Sequence, residues 1–358
     1  MIKSKIIQND IRNIALTIKK DAKVLIGKTI LITGGSGFLG RYFLYTIWYL
    51  NKNFFSKPCR VISLDNYITG TQVNPLLGDE NFTFIKHDVR KSFDTRDHVD
   101  YIVHAAGIAS PVYYMKYPLE TLEVATLGTQ NMLEFARDKK VESFLFFSSS
   151  EVYGDPDPNF VPTPETYPGN VSCIGPRSCY DESKRLGETL CMIYNKIYKV
   201  PTKTVRPFNV YGPGMMVNDS RVIPRFLTSA LKKEPLPVHA GGNQTRTFCY
   251  ISDAVTAFFK VLLSQGNGDV FNVGNDGNEV NMMTLAQIVS ELFKGKVEIK
   301  SIDYPSFYPQ GDPRRRSPDL TKIRTVLGYK PKISLEAGLK RTLRWYKDEA
   351  KIQSLERS

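Results

Sequence analysis

Six short apolar runs with little polar alternation punctuate the chain up to position 208: KTILIT (28–33), RVISLD (60–65), FTFIKHD (82–88), YIVHAA (101–106), SFLFFSS (143–149) and TKTVRPF (202–208). Runs of this length and texture predict strands buried on both faces. Between them lie helical stretches, one from about 38 to 50 and others near 118–139 and 180–199. Alternating strands and helices predict an α/β chain, a Rossmann-type doubly wound parallel sheet with helices on both faces. Beyond about 207 Pro and Gly become more frequent and the elements shorter, which predicts a smaller C-terminal region over the strand ends. Ahead of the first strand, Ile2, Ile6, Ile7, Ile11, Ile14 and Ile18 recur at helical spacing. That stripe predicts an amphipathic helix packed on its own chain or on a second subunit.

Composition narrows the class. The chain has 358 residues, 42% hydrophobic and 23% charged, which excludes disorder and collagen-like sequence. The apolar stretches 43–50 and 257–263 fall far short of the roughly 20 residues of a membrane span. The first ten residues carry charges where an export signal needs an apolar stretch, so the expected location is cytoplasmic. The net charge of +12 suits small polyanions such as nucleotide diphosphates; the basic residues are scattered, and no nucleic-acid partner is expected. Five cysteines without a C-x-x-C pair predict reduced thiols and no metal site.

The chemistry begins at the end of the first run, in TGGSGFLG, where Gly34, Gly37 and Gly40 are spaced three apart. Glycines here allow a tight turn, close approach to a pyrophosphate and close helix packing, and the helix N-terminus offers free N–H groups to phosphates. Asp65, ending the second run, is placed to accept from adenosine ribose hydroxyls and to repel a 2′-phosphate, so NAD is expected over NADP. Further on come SSSEVYG (148–154) and YDESK (180–184). Tyr180 and Lys184 lie four apart, on one helix face. A nearby ammonium stabilises a phenolate, so Tyr180 is expected to titrate closer to neutrality than a free tyrosine.

In this order TGGSGFLG, LDNYITG, HDVR, SSSEVYGD, IGPRSCYDESKR and QTRTFCYISD resemble the extended short-chain dehydrogenase/reductase family of nucleotide-sugar enzymes, over about residues 28–348. SEVYGDP, VNDSRV and DPRRRSPDL are most similar to its UDP-glucuronate decarboxylase (UDP-xylose synthase) branch. The resemblance implies a bound NAD reduced and reoxidised within one turnover, a nucleotide-diphosphate sugar as substrate, and a homodimer formed by the helices near 118–139 and 180–199. It implies that Tyr180 takes the proton of the sugar 4-hydroxyl, that Lys184 supports it and grips the nicotinamide ribose, and that Ser149 binds the same hydroxyl. Ser150, Glu151 and Arg316 match positions that assist decarboxylation and reprotonate sugar carbon 5. The cofactor set would comprise Gly34, Gly37, Phe38, Leu39, Gly40, Asp65, Asn66, Thr69, Gly70, Asp88, Val89, Ala105 and Lys184. The substrate set would comprise Tyr114, Asn131, Asn209, Arg221, Arg246 and Arg316. The expected organisation is a helical extension (1–27), an NAD-binding domain (28–206, with a returning segment near 244–276) and a mainly substrate-binding domain (207–350).

Three departures bear on the substrate. Glu123-Val124-Ala125 stands where the branch reads K-T-N, replacing a lysine that would favour a substrate carboxylate. Gly214 replaces an arginine, and Arg316-Ser317-Pro318-Asp319 replaces R-K-P-D. A 4,6-dehydratase or a 4-epimerase acting on a related nucleotide sugar therefore stays open, as does, more remotely, a non-catalytic dinucleotide-sensing or RNA-binding relative.

Overall fold

The computed structural model describes residues 2–69, 74–217, 219–277, 279–303 and 313–355, the last six without their side chains. Seven parallel strands form the central sheet: β1 (Thr29–Thr33), β2 (Arg60–Asp65), β3 (Phe82–Lys86), β4 (Tyr101–His104), β5 (Ser143–Phe147), β6 (Thr202–Pro207) and β7 (Asp269–Val273). Their order across the sheet is β7-β6-β5-β4-β1-β2-β3. Both β1 and β5 are buried at every position, as their unbroken apolar sequence requires of strands covered on two faces. The chain runs outward through β2 and β3, then returns to place β4 beside β1. At that reversal, loops leaving the carboxyl ends of β1 and β4 diverge to opposite faces and open a crevice.

The helices that frame the sheet and the site include α1 (Lys5–Ile18), α2 (Phe38–Asn53), α3 (Pro118–Ala125), α4 (Leu127–Lys139), α5 (Ser178–Tyr198), α6 (Val222–Leu231), α7 (Ile251–Leu262) and α8 (Leu335–Leu355). The expected helix over 118–139 is two helices, broken at Thr126 (φ −111°, ψ −76°). The break lies two residues before Gly128, where a Cβ would sit 2.8 Å from the Val89 side chain. The apolar runs at 101–106 and 143–149 leave the sheet two residues early, at His104 and Phe147. Residues 105–106 and 148–149 instead turn into the crevice.

The isoleucine stripe packs on its own chain. Ile7, Ile11, Ile14 and Ile18 are buried in the core that also holds residues of α2 and α7. Beneath α1, buried Asp10 accepts from the Tyr250 hydroxyl (2.7 Å) and the Tyr42 hydroxyl (3.5 Å), and Arg341 lies 3.4 Å away. Beyond β6 the short strand Thr245–Arg246 sits between Val280–Asn281, antiparallel, and Arg315–Arg316, parallel. This register sets Arg246 beside Arg316 over the carboxyl ends of the main sheet. Among the described residues no helix is long and apolar enough to cross a membrane, and no group of three His, Cys, Asp or Glu side chains converges as a metal site would require.

Candidate active site

A cleft of about 480 Å³ runs along the carboxyl ends of the strands. Its floor is the turn after β1. Gly34 has φ +72°, and a Cβ there would lie 2.9 Å from the Ala106 backbone. At Gly40 a Cβ would lie 2.7 Å from the Gly35 Cα. Gly37 caps α2 without a side-chain hydrogen bond, which leaves the helix N-terminus bare toward the cleft. The Asp65 carboxylate accepts from the backbone N–H groups of Ser36 (2.9 Å) and Tyr67 (2.8 Å), fixing it against that turn. Asn66, Thr69, Val89 and Ala105 line the same end; Gly70 lies outside the described residues.

Two of the expected contact residues are engaged by the protein itself. Asp88 is taken up by Arg90 (2.8 Å), whose other arm pairs with Glu123 (2.8 Å). Its neighbours His87 and Val89, not Asp88 itself, line the cleft. Asn131 donates to the Val89 carbonyl (2.9 Å) and buttresses that loop. The Arg90–Glu123 pair also explains the acid that replaces the branch lysine: it answers a guanidinium beside the loop after β3 and does not line the cleft.

His104, buried below this end, has a fixed tautomer. The Thr129 hydroxyl donates to the Ala125 carbonyl (2.8 Å), so His104 Nε2–H donates to Thr129 (3.1 Å). Nδ1 then accepts from the Thr33 hydroxyl (2.8 Å), which in turn accepts from the Ala106 N–H (3.1 Å). Burial pushes this imidazole down to about 3. It is a neutral brace for the β4 loop.

At the other end, α5 carries Tyr180 and Lys184 on one face, both buried. The Tyr180 ring stacks on Tyr114 (centroids 5.5 Å apart). Lys184 Nζ donates to the Phe147 carbonyl (2.8 Å) and lies 5.8 Å from the Tyr180 ring centre. The expected acidification of Tyr180 is not seen. Burial raises its phenol to about 12, against the Ser149 hydroxyl, which pulls it down, while Glu151 and Asp181 raise it further and Arg221 lowers it. Burial also lowers the Lys184 ammonium to about 8. The lysine acts on a carbonyl here, and desolvation outweighs the help that Tyr180 receives.

Ser149 caps a short 3₁₀ turn, Ser150–Tyr153, and accepts from the Glu151 N–H (3.2 Å). That turn carries Ser150 and Glu151 into the cleft. Glu151 is clasped by Arg177 from the start of α5 and by Arg316 (2.6 Å) from the small sheet, both on Oε2. Burial favours its neutral form, yet the charges of Arg177, Arg316 and Arg246 hold it below the usual glutamate value. Asn209, Arg221 and Arg246 complete the far wall. Asn209 donates to the Thr247 carbonyl (2.8 Å), and Arg221 pairs with Asp219 (2.6 Å). Arg177, Arg225, His239 and Gln244 also line the cleft without having been assigned from sequence; of these, Arg177 and Gln244 stood in quoted motifs.

A glycine turn under a bare helix N-terminus, opposite a Ser/Tyr/Lys set on a neighbouring strand end and helix, makes this a dinucleotide-dependent α/β enzyme. The model of the NAD dependent epimerase/dehydratase family matches residues 30–274, and the chain belongs to that family. NAD is its cofactor, and the turn fits it: a side chain at Gly34 or Gly40 would collide with the backbone of Ala106 or Gly35 and break the tight turn that lets a pyrophosphate approach. The chain is 42% identical over 313 residues to UDP-glucuronic acid decarboxylase 5 of Arabidopsis thaliana, covering 87% of this chain and 86% of that one. Its fold is similar to an epimerase from Methanothermobacter thermautotrophicus (TM-score 0.79, 27% identity, 94% and 97% of the two chains). It is also similar to a dTDP-glucose 4,6-dehydratase from Streptomyces venezuelae solved with NAD (TM-score 0.76, 26% identity, 89% and 97%).

Proposed function

We propose that this chain decarboxylates UDP-glucuronate to UDP-xylose through a 4-keto sugar. The observation that carries the reading is the ionised Glu151, held by Arg177 and Arg316 beside Tyr180 and Ser149. The relatives at about 40% identity support it.

NAD, when bound, supplies the oxidation and the re-reduction at sugar carbon 4. Gly34, Gly37, Phe38, Leu39 and Gly40 would hold its pyrophosphate and Asp65 its adenosine ribose. Ser149 orients the sugar 4-hydroxyl, and Tyr180, once ionised, takes its proton as the carbonyl forms; the Ser149 hydroxyl is the group that favours that ionised form. Lys184, which lies beneath Tyr180, would hold the nicotinamide ribose. The 4-keto sugar is a β-keto acid. Its carbon 5–carboxylate bond breaks, carbon dioxide leaves, and the electron pair passes into the enolate at carbons 4 and 5. A proton then returns to carbon 5. Glu151 is held as a carboxylate, so its part is to repel the departing carboxylate and to position a water that delivers the proton, rather than to donate one itself. Arg246 and Asn209 bind the diphosphate.

Leu119, Leu122 and Leu127 on α3 and α4, with Leu186, Met192 and Ile197 on α5, are exposed. We propose that this apolar face joins two copies as a homodimer. The remaining expectations, a cytoplasmic location and the division at 28–206 and 207–350, belong to the same reading. The test is product mass after incubation with UDP-glucuronate: loss of carbon dioxide supports decarboxylation, loss of water makes this a dehydratase, and an unchanged mass refutes both.

A further inference from the structure

Arg177 comes three residues before Tyr180, at the entry to α5, and its side chain is only 11% exposed. Its Nη2 meets Glu151 Oε2, and its Nε donates to Asp181 Oδ2 (3.3 Å) one helical turn on. Arg316 occupies the same Glu151 oxygen from the opposite wall (2.6 Å). Among the described residues nothing donates to Glu151 Oε1. Asp181 is itself buried and takes no part in the steps above.

We propose that Arg177 is a positioning residue for Glu151: by spanning Glu151 and Asp181 it keeps the Glu151 carboxylate charged and commits one oxygen to the protein, leaving the other for the reaction. A carboxylate moved out of water protonates unless several charges offset the cost. Arg316 alone comes from a two-residue strand on the small sheet, a separate wall of the cleft. Arg177 adds a guanidinium from the helix that also carries Tyr180 and Lys184, so one rigid element sets both the base and the charge of the acid. Asp181 fixes the Nε edge of the guanidinium, which turns the Nη2 arm to Glu151.

The groups facing Glu151 are Arg177, Arg316 and Arg246, which favour its charge, and Asp181 and Tyr180, whose own titrations it raises. Removing Arg177 therefore raises the Glu151 titration, and removing the Asp181 charge lowers it or leaves it in place.

The test is infrared difference spectroscopy of the full chain across a pH titration. The carboxylic-acid carbonyl band of Glu151 is identified by its loss in Glu151→Gln. Arg177→Gln should bring that band in at a pH at least one unit above wild type, a tenfold change in the proton equilibrium. Arg177→Lys should recover part of the shift, and Asp181→Asn should show none upward. If Arg177→Gln does not fold, the smaller upward shift of Arg177→Lys carries the test. A band that titrates at the wild-type pH in the Arg177 variants overturns the proposal. The role in turnover rests on the decarboxylase reading, but the band needs no substrate. Failure of carbon dioxide release from wild type thus counts against that reading alone. Where release is seen, the acid limb of kcat should move with the band while KM stays within a few-fold.

Discussion

Glu151 in the cleft and Asp10 on the inner face of the N-terminal helix are both acids largely shielded from water and facing arginine and tyrosine, and they end in opposite states. Two guanidinium groups converge on one oxygen of Glu151, and its carboxyl stays below the usual range. Asp10 has one guanidinium, at 3.4 Å on a half-exposed arginine, plus two tyrosine hydroxyls, and burial pushes it up to about 6. Neutral donors do not offset desolvation here; close, multiple guanidinium contacts do. The charge that catalysis uses is built at the strand ends, while the seam under α1 tolerates an acid that is hard to ionise.

The largest effect should come from breaking the cleft side. Glu151→Gln should cut carbon dioxide release from UDP-glucuronate by two to four orders of magnitude, while absorbance of enzyme-bound NADH still rises after mixing. Tyr180→Phe should abolish both signals. Equal loss of NADH formation in the two variants would mean that Glu151 serves the redox step as well.

The seam should answer in stability instead. An unfolded aspartate releases its proton near 3.8, whereas folded Asp10 holds it to about 6. Folding therefore takes up a proton between those values, and stability falls as pH rises from about 4 to 6, then stays level on this account. A shift of about two pH units corresponds to roughly 3 kcal/mol. Asp10→Asn keeps an acceptor for Tyr250 and removes the charge, so denaturant unfolding across that window should lose this slope, with activity unchanged. An identical slope in wild type and variant would put the cost elsewhere. Smallest of all is Arg341→Met. A single long, solvent-screened contact is worth at most about 1 kcal/mol, so unfolding above pH 6 should shift by no more than that. A larger loss would show that one guanidinium suffices and would erase the contrast with Glu151.

The strands and the glycine turn were legible because unbroken apolar runs have few alternatives and because Gly34 and Gly40 stand where a side chain cannot. Strand ends were less so: residues 105–106 and 148–149 are as apolar or small as their neighbours, and only the crevice pulls them from the sheet. Asp88 and Asn131 were placed by motif order, which does not reveal that Arg90 captures one and a backbone carbonyl the other. The acid at 123 read as a substrate signal until its partner Arg90 was visible, 33 positions away. Arg177 stood in plain view in IGPRSCYDESKR, but its meaning depends on Glu151, 26 positions earlier. The tyrosine titration failed as an expectation because spacing on a helix fixes which groups are neighbours and says nothing of how dry they are.

Arg316 stands beside Arg246 only because the two-residue strand Arg315–Arg316 joins Thr245–Arg246 in parallel register, and this has a consequence during synthesis. A ribosome that has delivered Tyr180 and Lys184 must add about 130 more residues before the second arginine of the clasp exists. At roughly 5–20 residues per second, that is an interval on the order of ten seconds. Through it the chain lacks Arg316, one of the guanidinium groups that hold Glu151 charged, and the clasp closes only when the last-made strand of the small sheet joins Thr245–Arg246.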